Sequence, residues 1–436
     1  MEFLLVFLYL IFLLWLKYFK MDYPSKRILL IFTTYWFIAL FLSQFELYGL
    51  DMPKNLSVFL LIINVFAFII GFSLIKINSN SLHRINIKTF EVQFSLILKN
   101  KIFIFILIIA LLYVAYLVGI YYTKFIFLQS LGDLRTEYYD SNLYGSLFST
   151  INTFFLSPFF IFLLPIYGYS TLYKRNMIWF FILLFLLLFA TLSGGRADYL
   201  KLFLPIMLII LFQKKKKAIN NKFSRYIIIY FSLFLSIIII SYVSAARFGN
   251  IELSKSNLQD GFDITTEQIV TYSVGPIVAF DYALNINYLN QINGYKYGTL
   301  TLNSIENIFY SIVSKFGLIY ERPISQFANL KQYTPIQISN EFSWNALYTW
   351  VLFFYLDFGI VGVIFFPFMI GLIFRKVIKE YIRNPNIYYF IILYFIFQLS
   401  LFSVMDWSLS SPALLFFLVL MYILAKKTSK KNQYTY

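Results

Sequence analysis

Long runs of apolar residues dominate this 436-residue sequence and limit the folds open to it. A helix needs about 20 such residues to cross the hydrocarbon core of a bilayer, and many of the runs approach that length. Because lipid offers backbone groups no hydrogen-bond partner, runs of this kind cross as helices. The sequence therefore predicts an all-α, polytopic membrane bundle of about eleven spans. These are 3–19, 28–45, 56–75, 102–122, 148–171, 177–193, 199–212, 226–246, 350–374, 387–405 and 410–425.

Basic residues separate the two sides of the predicted spans. With the N-terminus outside and the loops alternating, most of the 36 lysines and arginines fall in inside segments, including "KKKK" at 214–217. Those segments carry only three acidic residues, Asp22, Glu91 and Glu380. This agrees with the positive-inside rule and puts the C-terminus in the cytoplasm. The net charge of +16 then arises from basic residues on the cytoplasmic side, which form a layer suited to anionic lipid. Nucleic acid is therefore not an expected partner.

The start of the chain also bears on topology. The first apolar run follows Met1, Glu2 and Phe3 with no basic residue before it, so it is expected to be a span and not a cleavable signal peptide.

One outside loop is much longer than the others. The predicted organisation is spans 1–8 over 1–246, a large outside loop over 247–349, and spans 9–11 with a basic tail over 350–436. Within the loop, 263–285 and 302–320 show apolar residues at helical spacing. We expect amphipathic helices there that lie on the outer membrane face or cap a cavity, with a break at Gly275–Pro276.

Motifs of soluble enzymes are missing from the sequence. There is no cysteine, no Walker loop, no dinucleotide fingerprint and no GxSxG. The single histidine, His83, lies in a basic inside segment. No acidic cluster has the spacing of a metal site, so neither a metal nor a cofactor is predicted.

The stretch "TLSGGRADYL" (191–200) is the leading candidate site. Its Arg196 follows Gly194 and Gly195 at the predicted start of span 7, where free backbone N–H groups favour an anion. Span 7 has only 14 residues as predicted, so Arg196 is expected at or below the outer surface. Asp198 is expected to be either a base or the partner of Arg196.

Three further arginines fall on the outside. Arg247 ends span 8, so it can face the same site as Arg196. Arg135 lies in "GDLRTEYYDSNLYG", and Arg322 lies in "YERPISQF". Guanidinium groups bind phosphate oxygens in pairs, so arginines that converge outside would suit a diphosphate. Each could instead be an interface anchor or a surface ion pair.

Four stretches resemble the bacterial oligosaccharide repeat-unit polymerases, the Wzy-type O-antigen and capsule polymerases. They are "LSGGRADYL", "TYSVGPIVAFDYALN", "GYKYGTLTLNSIEN" and "NALYTWVLFFYLDFGIVGVIFFPFMIGL", in this order over roughly 190–372. The resemblance implies a GT-C-like membrane glycosyltransferase of the bacterial cytoplasmic membrane. Its substrate would be an oligosaccharide linked to undecaprenyl diphosphate, with membrane lipids, a chain-length regulator and a flippase as partners.

The resemblance also implies roles for residues. Arg196 and Arg247 would stabilise the leaving diphosphate, and Arg135, Arg322 and Tyr272 would help to bind the substrate. Asp198, Asp281 and Glu321 remain alternative general bases. For Asp357, in the last stretch, a capping role is favoured over a catalytic one. The rival functions are a lipid-linked oligosaccharide flippase, an O-antigen ligase, against which the lack of an outside histidine counts, and a membrane scaffold.

Overall fold

The computed structural model describes most of the chain. The described residues are 1–77, 94–128, 148, 150–173, 177–193, 196–212, 255–327, 336–337, 343–344, 348–405, 407 and 412–433. The predicted span 226–246 lies outside them, so the number of spans stays a prediction.

The described residues are mostly helical. The helices are α1 (Glu2–Tyr18), α2 (Tyr23–Leu42), α3 (Asn55–Leu74), α4 (Lys101–Leu128), α5 (Ser157–Tyr173), α6 (Met177–Ser193), α7 (Arg196–Lys201), α8 (Leu204–Phe212), α9 (Lys255–Asn285), α10 (Tyr288–Gln291), α11 (Asn303–Val313), α12 (Trp350–Arg383), α13 (Ile387–Phe402) and α14 (Pro412–Gln433). A further helical stretch covers 94–99, single short turns cover Leu47–Gly49 and Ser314–Phe316, and a π-turn, Asn152–Leu156, precedes α5. Two short antiparallel strands, β1 (Ile336–Gln337) and β2 (Ser343–Trp344), pair with each other.

Among the residues that the structure describes, six helices are long and apolar enough to cross a membrane. They are Tyr23–Leu42, Asn55–Leu74, Lys101–Lys124, Asn152–Leu172, Trp350–Arg383 and Pro412–Ser429. Two shorter apolar helices cover Met177–Leu192 and Ile387–Phe402. The prediction of a helical, multi-pass membrane protein is confirmed at this level.

The chain forms two compact units. Unit 1 holds Met1–Ile85, Ile269–Asn384 and Phe395–Leu424, and unit 2 holds Asn86–Gln268, Pro385–Tyr394 and Ala425–Tyr436.

Unit 1 is built around the contact of α3 with α12. A Cβ added to Gly71 would collide with the carbonyl oxygen of Phe368, and glycine therefore allows the two backbones to touch. Further along, Phe72 packs edge-on against Phe374, at 5.7 Å between centroids. Because these contacts advance together along both helices, α3 and α12 run in the same direction.

A buried ion pair closes one end of unit 1. The guanidinium of Arg375 lies 2.6 Å from the carboxylate of Asp22, and its Nε donates to the carbonyl of Ile75 at 2.9 Å. Asp22 also caps α2 by accepting from the backbone N–H of Ser25. We refer to this as the Asp22 end of unit 1, and to the opposite end, where α3 begins, as the Asp281 end.

Unit 2 contains the hairpin of α5 and α6. Trp179 donates its indole N–H to the hydroxyl of Thr171 at 2.9 Å near the turn. Further along, the rings of Phe160 and Phe189 lie 4.8 Å apart. A polar contact near the turn and an aromatic contact further along therefore hold the two helices together.

The predicted break at Gly275–Pro276 is wrong. Helix α9 continues through Pro276 to Asn285. An interior proline costs a helix about 3 kcal/mol, because it removes one backbone hydrogen bond. Here residues 273–281 are all buried, and packing of that face offsets the loss. This half of α9 is therefore a core element of unit 1 and does not lie on its surface.

The predicted span 199–212 is also interrupted, between α7 and α8. Pro205 has no N–H to donate to the carbonyl of Lys201, and the helical pattern fails there. The hydroxyl of Tyr394 donates to that carbonyl instead, at 3.3 Å. Leu202 and Phe203 form tighter turns back to Tyr199 and Leu200.

Candidate site at the Asp281 end of unit 1

Helix α12 is broken near its start. Phe358 has φ −142° and Gly359 has φ +59° with ψ −143°, a combination open in practice only to glycine. The rings of Phe354 and Phe366 stack at 5.0 Å, although an unbroken helix would place these residues about 18 Å apart. The chain therefore reverses, and residues 350–357 form a half-helix folded back on the long arm, 360–383.

A loop from the sequence stretch "GYKYGTLT" caps this half-helix. The backbone N–H groups of Lys296 and Tyr297 donate to the carbonyls of Leu356 and Asp357, at 3.0 and 3.1 Å. These carbonyls have no partner within the half-helix, since the helix stops there. We call residues 294–301 the capping loop.

The side chain of Asp357 completes the cap. It is fully buried and accepts from the backbone N–H groups of Leu300 (3.2 Å) and Thr301 (2.6 Å). The indole of Trp407 then donates to the carbonyl of Thr301 at 2.7 Å. Both oxygens of Asp357 are thus engaged with backbone, in agreement with the capping role favoured from the sequence.

Asp281 holds α9 against the start of α3. Its carboxylate accepts from the backbone N–H of Lys54 (3.0 Å), the hydroxyl of Ser57 (2.5 Å) and the amide of Asn285 (2.8 Å). The first two groups belong to the N-terminus of α3, where a negative charge is favourable. Asp281 is also buried. This geometry favours a positioning role over the role of general base.

Arg322 sits in a network of polar side chains. Its Nε and Nη2 contact Glu306 at 2.8 to 3.3 Å, and Nη2 also donates to Asn303 at 3.2 Å. Its guanidinium lies 5.3 Å from the ring centre of Tyr310. Burial and the Glu306 carboxylate, to which its hydroxyl donates at 2.9 Å, raise the pKa of Tyr320. We call these five residues the Arg322 cluster.

A short chain of side chains links a cation to a carboxylate beside this cluster. The ammonium of Lys296 donates to the amide oxygen of Gln326 at 2.9 Å. The amide nitrogen of Gln326 donates to Glu321 at 3.0 Å. Burial lowers the pKa of Lys296, and the nearby Glu321 opposes that shift. Glu321 is exposed.

The remaining predicted residues are placed only in part. Tyr272 lies on α9, partly buried, nine residues before Asp281. Arg196 begins α7, as expected, while its side chain is outside the described part. Asp198 forms an ion pair with Lys201 at 2.6 Å.

Arg135, Gly194, Gly195 and Arg247 lie outside the described residues. The convergence of Arg196 and Arg247 on one site therefore stays a prediction.

The sequence reasoning missed Lys296 and Glu306. Both lie in "GYKYGTLTLNSIEN", a stretch that resembles the polymerase family but in which neither residue was assigned a role. The signal available was a lysine between two glycines, where a tight turn fixes the position of the side chain. Glu306 could not be paired with Arg322 from the sequence, because the partners are 16 residues apart.

Within the described residues, no group of three or more His, Cys, Asp or Glu side chains is placed to hold a metal ion. Comparison with protein-family models, with curated proteins and with solved structures finds no match.

Proposed function

We propose that this protein is a membrane glycosyltransferase that joins oligosaccharide repeat units carried on undecaprenyl diphosphate. The observation that carries the proposal is the chain from Lys296 through Gln326 to Glu321. Transfer of a glycan from a lipid diphosphate needs a cation for the leaving group and a carboxylate for the attacking hydroxyl. In these three side chains, only the amide of Gln326 separates the cation of Lys296 from the carboxylate of Glu321.

Three of the four stretches that carry the family resemblance support the same location. "TYSVGPIVAFDYALN" supplies Asp281, "GYKYGTLTLNSIEN" supplies the capping loop and Glu306, and "YLDFG" supplies Asp357. All of them contribute to the Asp281 end of unit 1 through the hydrogen bonds described above.

The charge pattern supports an outer location for this end. The basic segments 17–27 and 375–383 flank the Asp22 end, which the positive-inside rule places in the cytoplasm. Helices α3 and α12 correspond to the predicted spans 3 and 9. The proposed topology directs both of these odd-numbered spans from outside to inside, in agreement with their parallel course.

The proposed reaction transfers the growing chain. A hydroxyl oxygen of the non-reducing-end sugar of a new lipid-linked repeat attacks the anomeric carbon of the growing chain. The bond from that carbon to the diphosphate oxygen breaks, and its electron pair leaves with the lipid diphosphate. The hydroxyl proton passes to Glu321, whose second oxygen accepts no hydrogen bond within the described part of the chain.

Cations then stabilise the leaving group. Lys296 uses one of its three donors on Gln326, so two remain for phosphate oxygens. Arg322 is held by Glu306 and contributes charge at a fixed position. Independently of the described geometry, Arg196 and Arg247 are proposed from the sequence to stabilise a leaving diphosphate.

Reconstitution tests this proposal against transport. Purified protein in liposomes is given lipid-linked repeat units, and the products are separated on a gel. A ladder of multiples of the repeat supports the polymerase. Movement of intact substrate between leaflets without a ladder would contradict it and favour the flippase.

A further inference from the structure

Helix α11 exposes its apolar face and buries its polar face, the reverse of what is usual for a protein in water. Its apolar residues Ile305, Phe309 and Ile312 are 51%, 59% and 54% exposed, whereas Asn303 and Glu306 are only 5% and 8% exposed. An amphipathic helix on a water-facing surface buries the apolar face, because that removes hydrocarbon from water. Here the polar face contacts the protein instead.

The contacts of the polar face fix this orientation. Glu306 accepts two donors of Arg322 and the hydroxyl of Tyr320, and Asn303 accepts another donor of Arg322. A rotation of α11 that buried Phe309 would break these charge-assisted hydrogen bonds and leave Glu306 and Arg322 each exposed to solvent. The exposed apolar face is therefore a property of the fold.

The apolar surface continues past the end of the helix. Phe316 and Ile319 are 79% and 78% exposed, next to the exposed Lys315. We call Ile305, Phe309, Ile312, Phe316 and Ile319 the α11 apolar surface. At 11 residues, α11 is about 16 Å long and too short to cross a bilayer.

We infer that lipid acyl chains cover the α11 apolar surface, and that α11 lies in the membrane interface with its polar face toward the protein. The exposed face of α3, a candidate membrane span of the same unit, is likewise apolar, with Leu56, Phe59, Ile70 and Leu74 outward. Lys315 suits an anionic headgroup at the edge of this surface. This inference does not depend on the proposed activity.

The chain offers a direct test because it has no cysteine. Single cysteines at Phe309→Cys and Ile312→Cys are spin-labelled, and the protein is placed in nanodiscs of phosphatidylethanolamine and phosphatidylglycerol. Ser311→Cys is the matched control, since it is exposed on the same helix but lies away from the apolar face. The measurement is the ratio of label accessibility to oxygen and to a water-soluble nickel complex.

Burial of about 5–10 Å should raise this ratio about threefold or more at positions 309 and 312 relative to position 311. Equal ratios at the three positions would overturn the inference. Spectral broadening that disappears on dilution with unlabelled protein would also overturn it, because a second copy would then cover the surface. Phe316→Cys, outside the helix, gives a further reading if a helix variant fails to fold.

Discussion

The carboxylate of Asp357 accepts a 2.6 Å hydrogen bond from the backbone N–H of Thr301, 56 residues earlier in the chain. This bond attaches the capping loop to the break in α12. The same loop carries Lys296, whose side chain begins the path to Glu321. The buried aspartate therefore fixes the loop that carries Lys296.

The first prediction concerns this cap. Asp357→Asn keeps one acceptor but sets an NH₂ group against a backbone N–H. Loss of one charge-assisted hydrogen bond in a buried place should cost about 1.5–3 kcal/mol. Thermal unfolding of the purified protein in detergent measures the loss, with the exposed Asp263→Asn as control. Equal melting temperatures for both variants would show that the cap contributes little.

A second prediction concerns the reversal at Gly359. An alanine Cβ would lie 2.8 Å from the hydroxyl oxygen of Tyr295, and the backbone angles are unfavourable for any side chain. Gly359→Ala should destabilise by about 1–3 kcal/mol. Adding Tyr295→Phe should relieve the collision but not the backbone strain.

Gly119 provides the contrasting control for this prediction. It lies within α4, where an added Cβ meets nothing within 4 Å. Gly119→Ala should therefore stabilise by about 0.5–1 kcal/mol. A Gly359→Ala protein as stable as the parent would contradict the reversal in α12.

The identity of the general base gives a third prediction. Asp281→Asn should lower stability, because its carboxylate binds the start of α3, but should slow polymerisation little. Glu321→Gln should leave stability unchanged and slow polymerisation by about 10²-fold or more. The reverse pattern would assign the base to Asp281.

The fourth prediction tests the arginines of the proposed diphosphate site. Arg196→Ala and Arg247→Ala should each slow chain growth by about 10²–10³-fold, the usual cost of removing one group that stabilises a transition-state anion. Arg383→Ala, at the exposed end of α12, should have no effect. Normal chain lengths in both site variants, at normal protein levels, would exclude the diphosphate role.

Sequence patterns predicted the helices of this fold well, because apolar runs of bilayer length leave few alternatives. Within the described residues, eight of the predicted spans coincide with continuous helices, including α3 and α6, whereas 199–212 and 350–374 are each interrupted. The same patterns failed where tertiary contacts decided the outcome. The proline at 276 predicted a break, but burial of its neighbours kept α9 intact.

The candidate site was harder to predict, because its partners are distant in sequence. Asp281 was named as a base, and only the structure shows that its carboxylate binds Ser57, 224 residues away. The reversal in α12 was not predicted, since "YLDFGIVG" was included in a single span, 350–374. Its glycine signals a close approach, but not the left-handed φ that turns the chain.

The most direct measurement of the proposed activity is the release of lipid diphosphate. Purified protein is mixed with undecaprenyl-diphosphate-linked repeat units, and new glycosidic bonds and free undecaprenyl diphosphate are counted together. The proposed reaction predicts one lipid diphosphate released for each bond formed, with loss of both products in Glu321→Gln. Bonds that form without release of lipid diphosphate, or no bonds at all with intact substrate, would contradict it.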